Sequence, residues 1–238
     1  MGYSEVVAVL GVGALAAWGL TKLVSSSSSS ALEENNYGRQ DCWRFPDYEK
    51  LKMNTDGSMT NSEAGFGGRA GFGVVIRGDL GGMLIGFYGR VRDCSSSSEA
   101  ELWGIYKGLQ IIQENNWREV EIETDLRSTV ELINGGNHAK SAIKEIVEEC
   151  KVMMLRTGCT LKLISDKANK VADDMANRGR DQDEDFVLHS VPPDPKMGSL
   201  LVADYESAKS ADPKKWSLVF ADYERAKPVW AAQLFHRF

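Results

Sequence analysis

Four acidic residues fall where carboxylates can be gathered at one point. Asp56 lies in Asn54-Thr55-Asp56-Gly57-Ser58, at the end of an alternating stretch, and Asp125 ends a second such stretch, EVEIETD. Glu101 lies in the first turn of a helical stretch, Glu99-Ala100-Glu101-Leu102-Trp103, and Asp173 begins another, Asn169-Lys170-Val171-Ala172-Asp173. If the two strands are neighbours, their C-terminal ends place Asp56 and Asp125 side by side, and a helix N-terminus can bring a third carboxylate. Carboxylates packed this closely repel, which raises the pKa of some of them. A divalent cation removes that penalty, and Mg²⁺ takes oxygen ligands from a few carboxylates, waters and substrate phosphates. Two such ions about 4 Å apart can hold an attacking water and a leaving 3′ oxygen in line across a phosphodiester. Each residue also has a plainer reading. Asp56 can be a turn-former before glycine, Glu101 a solvent-facing helix residue, Asp125 a helix N-cap, and Asp173 a surface charge beside Asp174. Singly, the plainer reading wins; in this order of strands and helices, the four together favour a metal-binding nest.

The elements that must position these residues run from about Lys50 to Arg180. KLKMNT alternates and turns at Asp56-Gly57-Ser58, as a strand does. Gly65 to Gly73 is glycine-rich and reads as a tight connection. GFGVVIRG and GMLIGFYGRV are two more strands, with Gly81-Gly82 as the hairpin signal between them. Ser95 to Ser98 offers N-caps for a helix over about Glu99–Gln113, whose Leu102, Ile105, Leu109 and Ile112 mark one face. EVEIETD is a fourth strand, LRSTVELIN a short helix stopped by Gly135-Gly136, Ser141 to Leu155 a longer helix, TLKLIS a fifth strand, and NKVADDMAN a last helix. The order βββαβααβα is an α/β fold: a mixed five-stranded sheet with helices packed on its faces.

The pieces NTDGS, AGFGVVIRGDLGG, AELWGIYKGL, IETDLRSTVELI and NKVADDMANRG stand in this order, and the stretch Lys50 to Gly179 resembles the ribonuclease H type-1 domain, in particular its plant reverse-transcriptase-like branch. The resemblance implies a ribonuclease H-like fold and hydrolysis of the RNA strand of RNA–DNA hybrids with two Mg²⁺ ions, Mn²⁺ being a substitute. It implies that Asp56 bridges both metals, that Glu101 holds one near the scissile phosphate, that Asp125 ligates the attacking side and that Asp173 completes the second metal site. It further assigns Gly57, Ser58, Ser97, Ser98 and Asn169 to the nucleic-acid surface. The sequence departs from the family in three places. The loop Ser165-Asp166-Lys167-Ala168 has no histidine, and Asp166-Lys167 stands where the plant branch often has Arg-Glu. Ser97 and Ser98 stand where other members often place asparagines that read the minor groove. These departures imply slow or weakly bound cleavage.

Composition sets bounds on the rest. With 238 residues, 42% hydrophobic and 26% charged, the chain is of ordinary globular make-up, and its net charge of -6 argues against a bulk polyanion binder. Acidic and basic side chains balance between residues 50 and 180, so setting aside the four site acids leaves a small basic surplus. Phosphate neutralisation dominates nucleic-acid affinity, and such a surplus predicts weak, salt-sensitive binding. Arg69, Arg77, Arg90, Arg92 and Lys170 are candidate phosphate contacts, and equally ordinary surface cations. Trp103 and Trp117 read as core or domain surface rather than as stacking platforms. The four cysteines are scattered, with no CxxC pair, which argues against structural zinc and for reduced thiols.

Four regions are expected: an anchor helix over 1–24, a serine-rich flexible linker over 25–47, the ribonuclease H-like domain over 48–180 and a helical tail over 181–238. Val6 to Thr21 carries no charge, and a spanning helix needs roughly 17–25 mainly apolar residues, a length reached only if Lys22 snorkels. A single-pass membrane anchor is favoured over a cleaved signal peptide, because Met1 to Glu5 has no Lys or Arg, and over a buried core helix. If the segment spans, Lys22 against Glu5 favours the cytosolic side for the nuclease-like domain. Ser25 to Ser30 is an unbroken tether. The tail holds an acidic run, DQDED, a proline break, VPPDPK, and two similar segments, SLLVADYESAKS (Ser199–Ser210) and SLVFADYERAKP (Ser217–Pro228), with a fainter copy, FPDYEKLK, at Phe45–Lys52. These are either helices that dock on the domain or a repeated short motif for a protein partner. In the second case a rival function arises: a catalytically weak or inactive nucleic-acid-binding or scaffold module, with the anchor and the repeats as its working parts.

Overall fold

The computed structural model describes residues 41–60, 68–135, 141–218 and 220–221. The expected anchor, the serine tract and most of the second tail segment lie outside the described residues. Among the described residues, no helix is long and apolar enough to cross a membrane.

The sheet has six strands rather than the five expected. They are β1 (Lys52–Met59), β2 (Ala70–Arg77), β3 (Met83–Val91), β4 (Glu121–Thr124), β5 (Thr160–Leu163) and β6 (Phe186–His189), in the order β5-β4-β1-β2-β3-β6. β1, β2, β3 and β6 are antiparallel neighbours, while β4 runs parallel to β1 and β5 parallel to β4. The sixth strand lies in the region read as tail. It is four residues long, directly after the acidic run, and too short for its alternation to register. Its anchor is aromatic: the Phe186 ring lies 5.5 Å from that of Phe87 and 6.5 Å from that of Phe72.

Two helical layers cover the sheet. Helices α1 (Ser97–Glu114), α2 (Arg127–Asn134) and α3 (Ser141–Thr157) supply the crossovers into β4 and β5; α4 (Lys170–Asp181) and α5 (Pro195–Ala211) follow. α1 begins where Ser96 caps it, accepting from the Glu99 amide at 3.2 Å, while Glu99 reaches back to the Ser95 amide at 2.9 Å. Its expected face is correct: Leu102, Ile105, Leu109 and Ile112 are fully buried and share a core with Phe72, Val74 and Ile76 of β2. Side chains alternate across a strand, so Gly71 and Gly73 point to the opposite layer. There a Cβ would stand 2.1 Å from the backbone nitrogens of Arg180 and Ala176. These glycines stand where the expected connection over 65–73 overlaps the expected strand GFGVVIRG; they lie inside β2, with the α4 backbone directly against them.

β1 also runs further than expected. The turn read at Asp56-Gly57-Ser58 is strand, with Asp56 opposite Gly73 and Ser58 opposite Gly71, and β1 ends at Met59.

The folded body reaches beyond 48–180 on both sides. Trp43 and Phe45, expected in the flexible linker, are 0% and 4% exposed and form a cluster with Ala208 of α5, flanked by Tyr205 and Trp216. The first tail segment is therefore docked. Asp204 pairs with Arg77 at 2.7 Å, and the Tyr205 ring stands edge-on to Phe45 at 5.5 Å. This is the docking alternative of the two weighed above: it buries Asp204 and half-buries Tyr205.

Candidate metal centre

Pairing between β1 and β4 ends at Asn54 opposite Glu123. Asp56 and Asp125 stand two residues further along each chain, where the strands part. Gly57 lets the first turn of α1 close on this point. A Cβ there would lie 2.4 Å from the Glu101 amide nitrogen and 2.8 Å from the Ser97 carbonyl oxygen. No side chain larger than hydrogen fits, so the glycine delivers Glu101. One carboxylate oxygen from each of Asp56, Glu101 and Asp125 lies within 4.8 Å of the others. Asp173, in the first turn of α4, stands near enough to raise the pKa of both aspartates. Asn177, one turn on, donates to the Asp173 carboxylate at 3.1 Å.

The electrostatics are those of crowded anions. Burial, then the charges of Asp125 and Asp173, push Asp56 up to about 8, against a 2.8 Å hydrogen bond from the Gly57 amide. Burial, then Asp56, holds Glu101 well above the usual carboxylate range. Burial raises Asp125 as well, and a hydrogen bond from Asn169 opposes it. The Thr124 hydroxyl donates to one Glu101 oxygen; the other, fully buried, has no hydrogen-bond partner. A buried carboxylate oxygen without a donor suits a cation. The donor set is carboxylate oxygen throughout, the preference of Mg²⁺ or Mn²⁺. The residues present therefore fit a divalent metal.

The expected nucleic-acid residues fare unevenly. Ser97 is exposed, Ser98 bonds Ser128 at 2.8 Å, and Ser58 accepts from Arg180 at 2.7 Å while donating to Asn177 at 2.8 Å. Asn169 is 1% exposed and donates to the Thr55 carbonyl at 2.8 Å, so it braces β1 and Asp125 from inside rather than facing a duplex. Gly57 serves the close packing of α1. Arg77 is not a phosphate contact: it is buried and bound to Asp204 and Asn54. Arg69 and Arg90 pair with Asp183 and Arg92 with Asp185, so the acidic run already sits against three of the candidate cations. Lys170 lies 3.6 Å from Asp166 and remains partly exposed. Trp103 and Trp117 pack on the main core, as read. Sequence reading passed over Thr124 and Asn177. Helical spacing from Asp173 was the available signal for Asn177; only the fold shows that the Thr124 hydroxyl meets Glu101.

The model of a family described as reverse transcriptase-like matches residues 54–179. The chain is 30% identical over 163 residues to an Arabidopsis thaliana protein named "Putative ribonuclease H protein". That alignment takes in 68% of this chain and 25% of the relative, so the chain spans about a quarter of the length of the curated relative it matches. Among solved structures it is similar to the N-terminal RNase H domain of a Mycobacterium tuberculosis protein, at 19% identity, over 56% of this chain and 94% of that one, with a TM-score of 0.48. It is also similar to LC11-RNase H1 in complex with an RNA/DNA hybrid, at 23% identity, over 56% and 97% of the two chains, with a TM-score of 0.47.

Proposed function

We propose, from the premise that this chain belongs to the reverse-transcriptase-like family of ribonuclease H-type domains, that it is a divalent-metal-dependent endonuclease hydrolysing the RNA strand of RNA–DNA hybrids. The observation that carries the reading is the convergence of Asp56, Glu101 and Asp125, with ligand oxygens within 4.8 Å of one another and one buried Glu101 oxygen unpartnered. With Asp173 these residues would hold two Mg²⁺ ions, or Mn²⁺ in their place. Bound there, the metal would make its water more acidic and better placed for attack, and would supply positive charge for the phosphoryl oxygens.

The chain's own side chains do the rest. Thr124 holds Glu101 by one oxygen and leaves the other free. Asn177 orients Asp173, and Asn169 braces Asp125. Ser58 on β1 and Ser97 and Ser98 at the start of α1 offer hydroxyls, which donate and accept as recognition of a 2′-OH requires. Selectivity for a hybrid would come from duplex shape and these contacts rather than from base sequence.

The test is hybrid cleavage by the full chain in Mg²⁺, beside a variant carrying Asp56→Asn and Asp125→Asn. Cleavage abolished in the variant supports the reading; wild-type cleavage no greater than the variant's overturns it. Tethering to a membrane through residues 6–24, with this domain on the cytosolic side, is proposed from the apolar run alone. Carbonate extraction of the full chain checks it, and release into the supernatant contradicts a spanning helix.

A further inference from the structure

Polar side chains form rungs up the parallel pair β1/β4 toward the metal centre. Lys52 faces Glu121 and Asn54 faces Glu123 in register, and Asp56 and Asp125 stand one rung higher. Strand side chains repeat every second residue, so the members of each strand's series leave it on one face. The lower rungs attract. Lys52 Nζ lies 2.8 Å from Glu121 and 2.6 Å from Glu123, and the Asn54 amide donates to Glu123 at 2.9 Å. The top rung, two carboxylates, repels.

Three of the four side chains of the lower rungs are closed off from water: Lys52, Asn54 and Glu123 are at most 2% exposed, while Glu121 stays partly open at the edge. The Asn54 carbonyl oxygen accepts from Trp43 Nε1 at 2.9 Å and from Arg77 at 2.7 Å, and Arg77 in turn donates to Asp204 of α5 at 2.7 Å. Burying this much charge gives little stability over apolar packing of the same volume. A role in setting geometry accounts for it.

We propose that the buried Asn54–Glu123 bridge, closed from behind by Lys52, Arg77 and Asp204, sets the spacing of Asp56 and Asp125. Asn54 and Glu123 are then positioning residues of the metal centre, and α5 is a supporting part of it. The inference rests on the metal-dependent reading given above. Without the bridge the strands would part where the two carboxylates repel most; with it the carboxylates wait at a fixed separation for a cation.

The test compares the full chain with its Glu123→Ala and Glu123→Gln variants, measuring Mn²⁺ uptake by calorimetry without nucleic acid, the thermal midpoint, and KM and kcat on a hybrid. Glu123→Ala is expected to weaken Mn²⁺ uptake about 10–100-fold, as loss of an outer-shell partner does, and Glu123→Gln, which keeps the acceptor for Asn54, to recover it to within about 3-fold. In Glu123→Ala, kcat should fall while KM for the hybrid changes by less than about 2-fold. A purely structural role would lower the thermal midpoint and leave Mn²⁺ uptake of the folded protein at the wild-type level, which overturns the proposal. Wild-type protein that takes up no Mn²⁺ overturns the nuclease reading and this inference together. If Glu123→Ala does not fold, Asn54→Ser replaces it with the same outcomes.

Discussion

Gly57 and Glu101 meet backbone to backbone: a Cβ on the glycine would sit 2.4 Å from the Glu101 amide nitrogen. That contact brings the start of α1 onto β1 and holds the Glu101 carboxylate beside Asp56. Gly57→Ala must push the helix away. Misplacing a catalytic group by about 1 Å costs about 10²-fold in rate, and overpacking costs about 1–3 kcal/mol of stability. Hybrid cleavage and a denaturant melt measure the two; an alanine variant with wild-type kcat would show that the close approach is dispensable.

Asp56 makes the metal-free protein sensitive to pH. Its carboxyl is raised to about 8 from an ordinary 3.8, so between those values the folded chain holds a proton that the unfolded chain has lost. Stability falls with pH wherever the folded state binds more protons. Metal-free protein should therefore lose stability as the pH climbs from 4 toward 8, with no further loss from this group above that. Asp56→Asn should reduce the slope, melting above wild type at pH 9 and close to it at pH 4. Metal uptake at pH 7 should release the proton held by Asp56, a contribution that fades by pH 9, and Glu101, also raised, adds to the release; calorimetry in buffers of different ionisation enthalpy measures it.

Thr124→Val keeps the shape of the strand residue and removes the hydroxyl that Glu101 accepts from. Glu101 then swings free of its second-layer support. Metal affinity should drop about 10–100-fold, with a stability change of about 1 kcal/mol. Equal affinity in the two proteins would mean that Thr124 does not orient the carboxylate.

Arg77 and Asp204 pair in the interior, and burial opposes the charge of both: it lowers the arginine pKa and raises the aspartate's. Asp204→Ala leaves a buried guanidinium without its anion and should cost about 3–5 kcal/mol. The double change Arg77→Met with Asp204→Leu removes both charges and should restore stability to about the wild-type level or above. Urea melts of the three proteins decide. An additive double variant would mean that the pair is not coupled.

The acidic run lies against Arg69, Arg90 and Arg92. Neutralising Asp183 and Asp185 as asparagines frees three cations for phosphate. Hybrid affinity should rise several-fold at low salt and return toward wild type near 1 M, where the Debye length is about 3 Å. Binding titrations at two salt concentrations check this.

Much of the site was legible in the sequence because its logic is local. Asp56, Glu101, Asp125 and Asp173 each sit at a fixed place on an element whose periodicity reads clearly, and the strand order brings those places together. What could not be read depends on contacts between distant residues. Lys52 and Asn54 alternate with apolar neighbours as solvent-facing residues do, yet both are buried, Trp43 packing over them and Arg77 binding Asn54. Gly71 and Gly73 read both as the end of a glycine-rich connection and as the start of a strand, since nothing in their own stretch announces the helix that rests on them. β6 is too short for a pattern, and Phe186 finds its partners on strands far back in the chain.

The Arg77–Asp204 contact spans 127 positions of sequence, and it therefore sets an order of events during synthesis. At ~5–20 residues per second, β2 leaves the ribosome several seconds before α5 exists. Through that interval the nascent chain carries a hydrated guanidinium and an uncovered Trp43 where the finished body is sealed. Completion of the sheet's back layer is thus deferred until α5 has been made. A chain that stopped short of α5 would leave Arg77 and Trp43 uncovered and open to proteolysis.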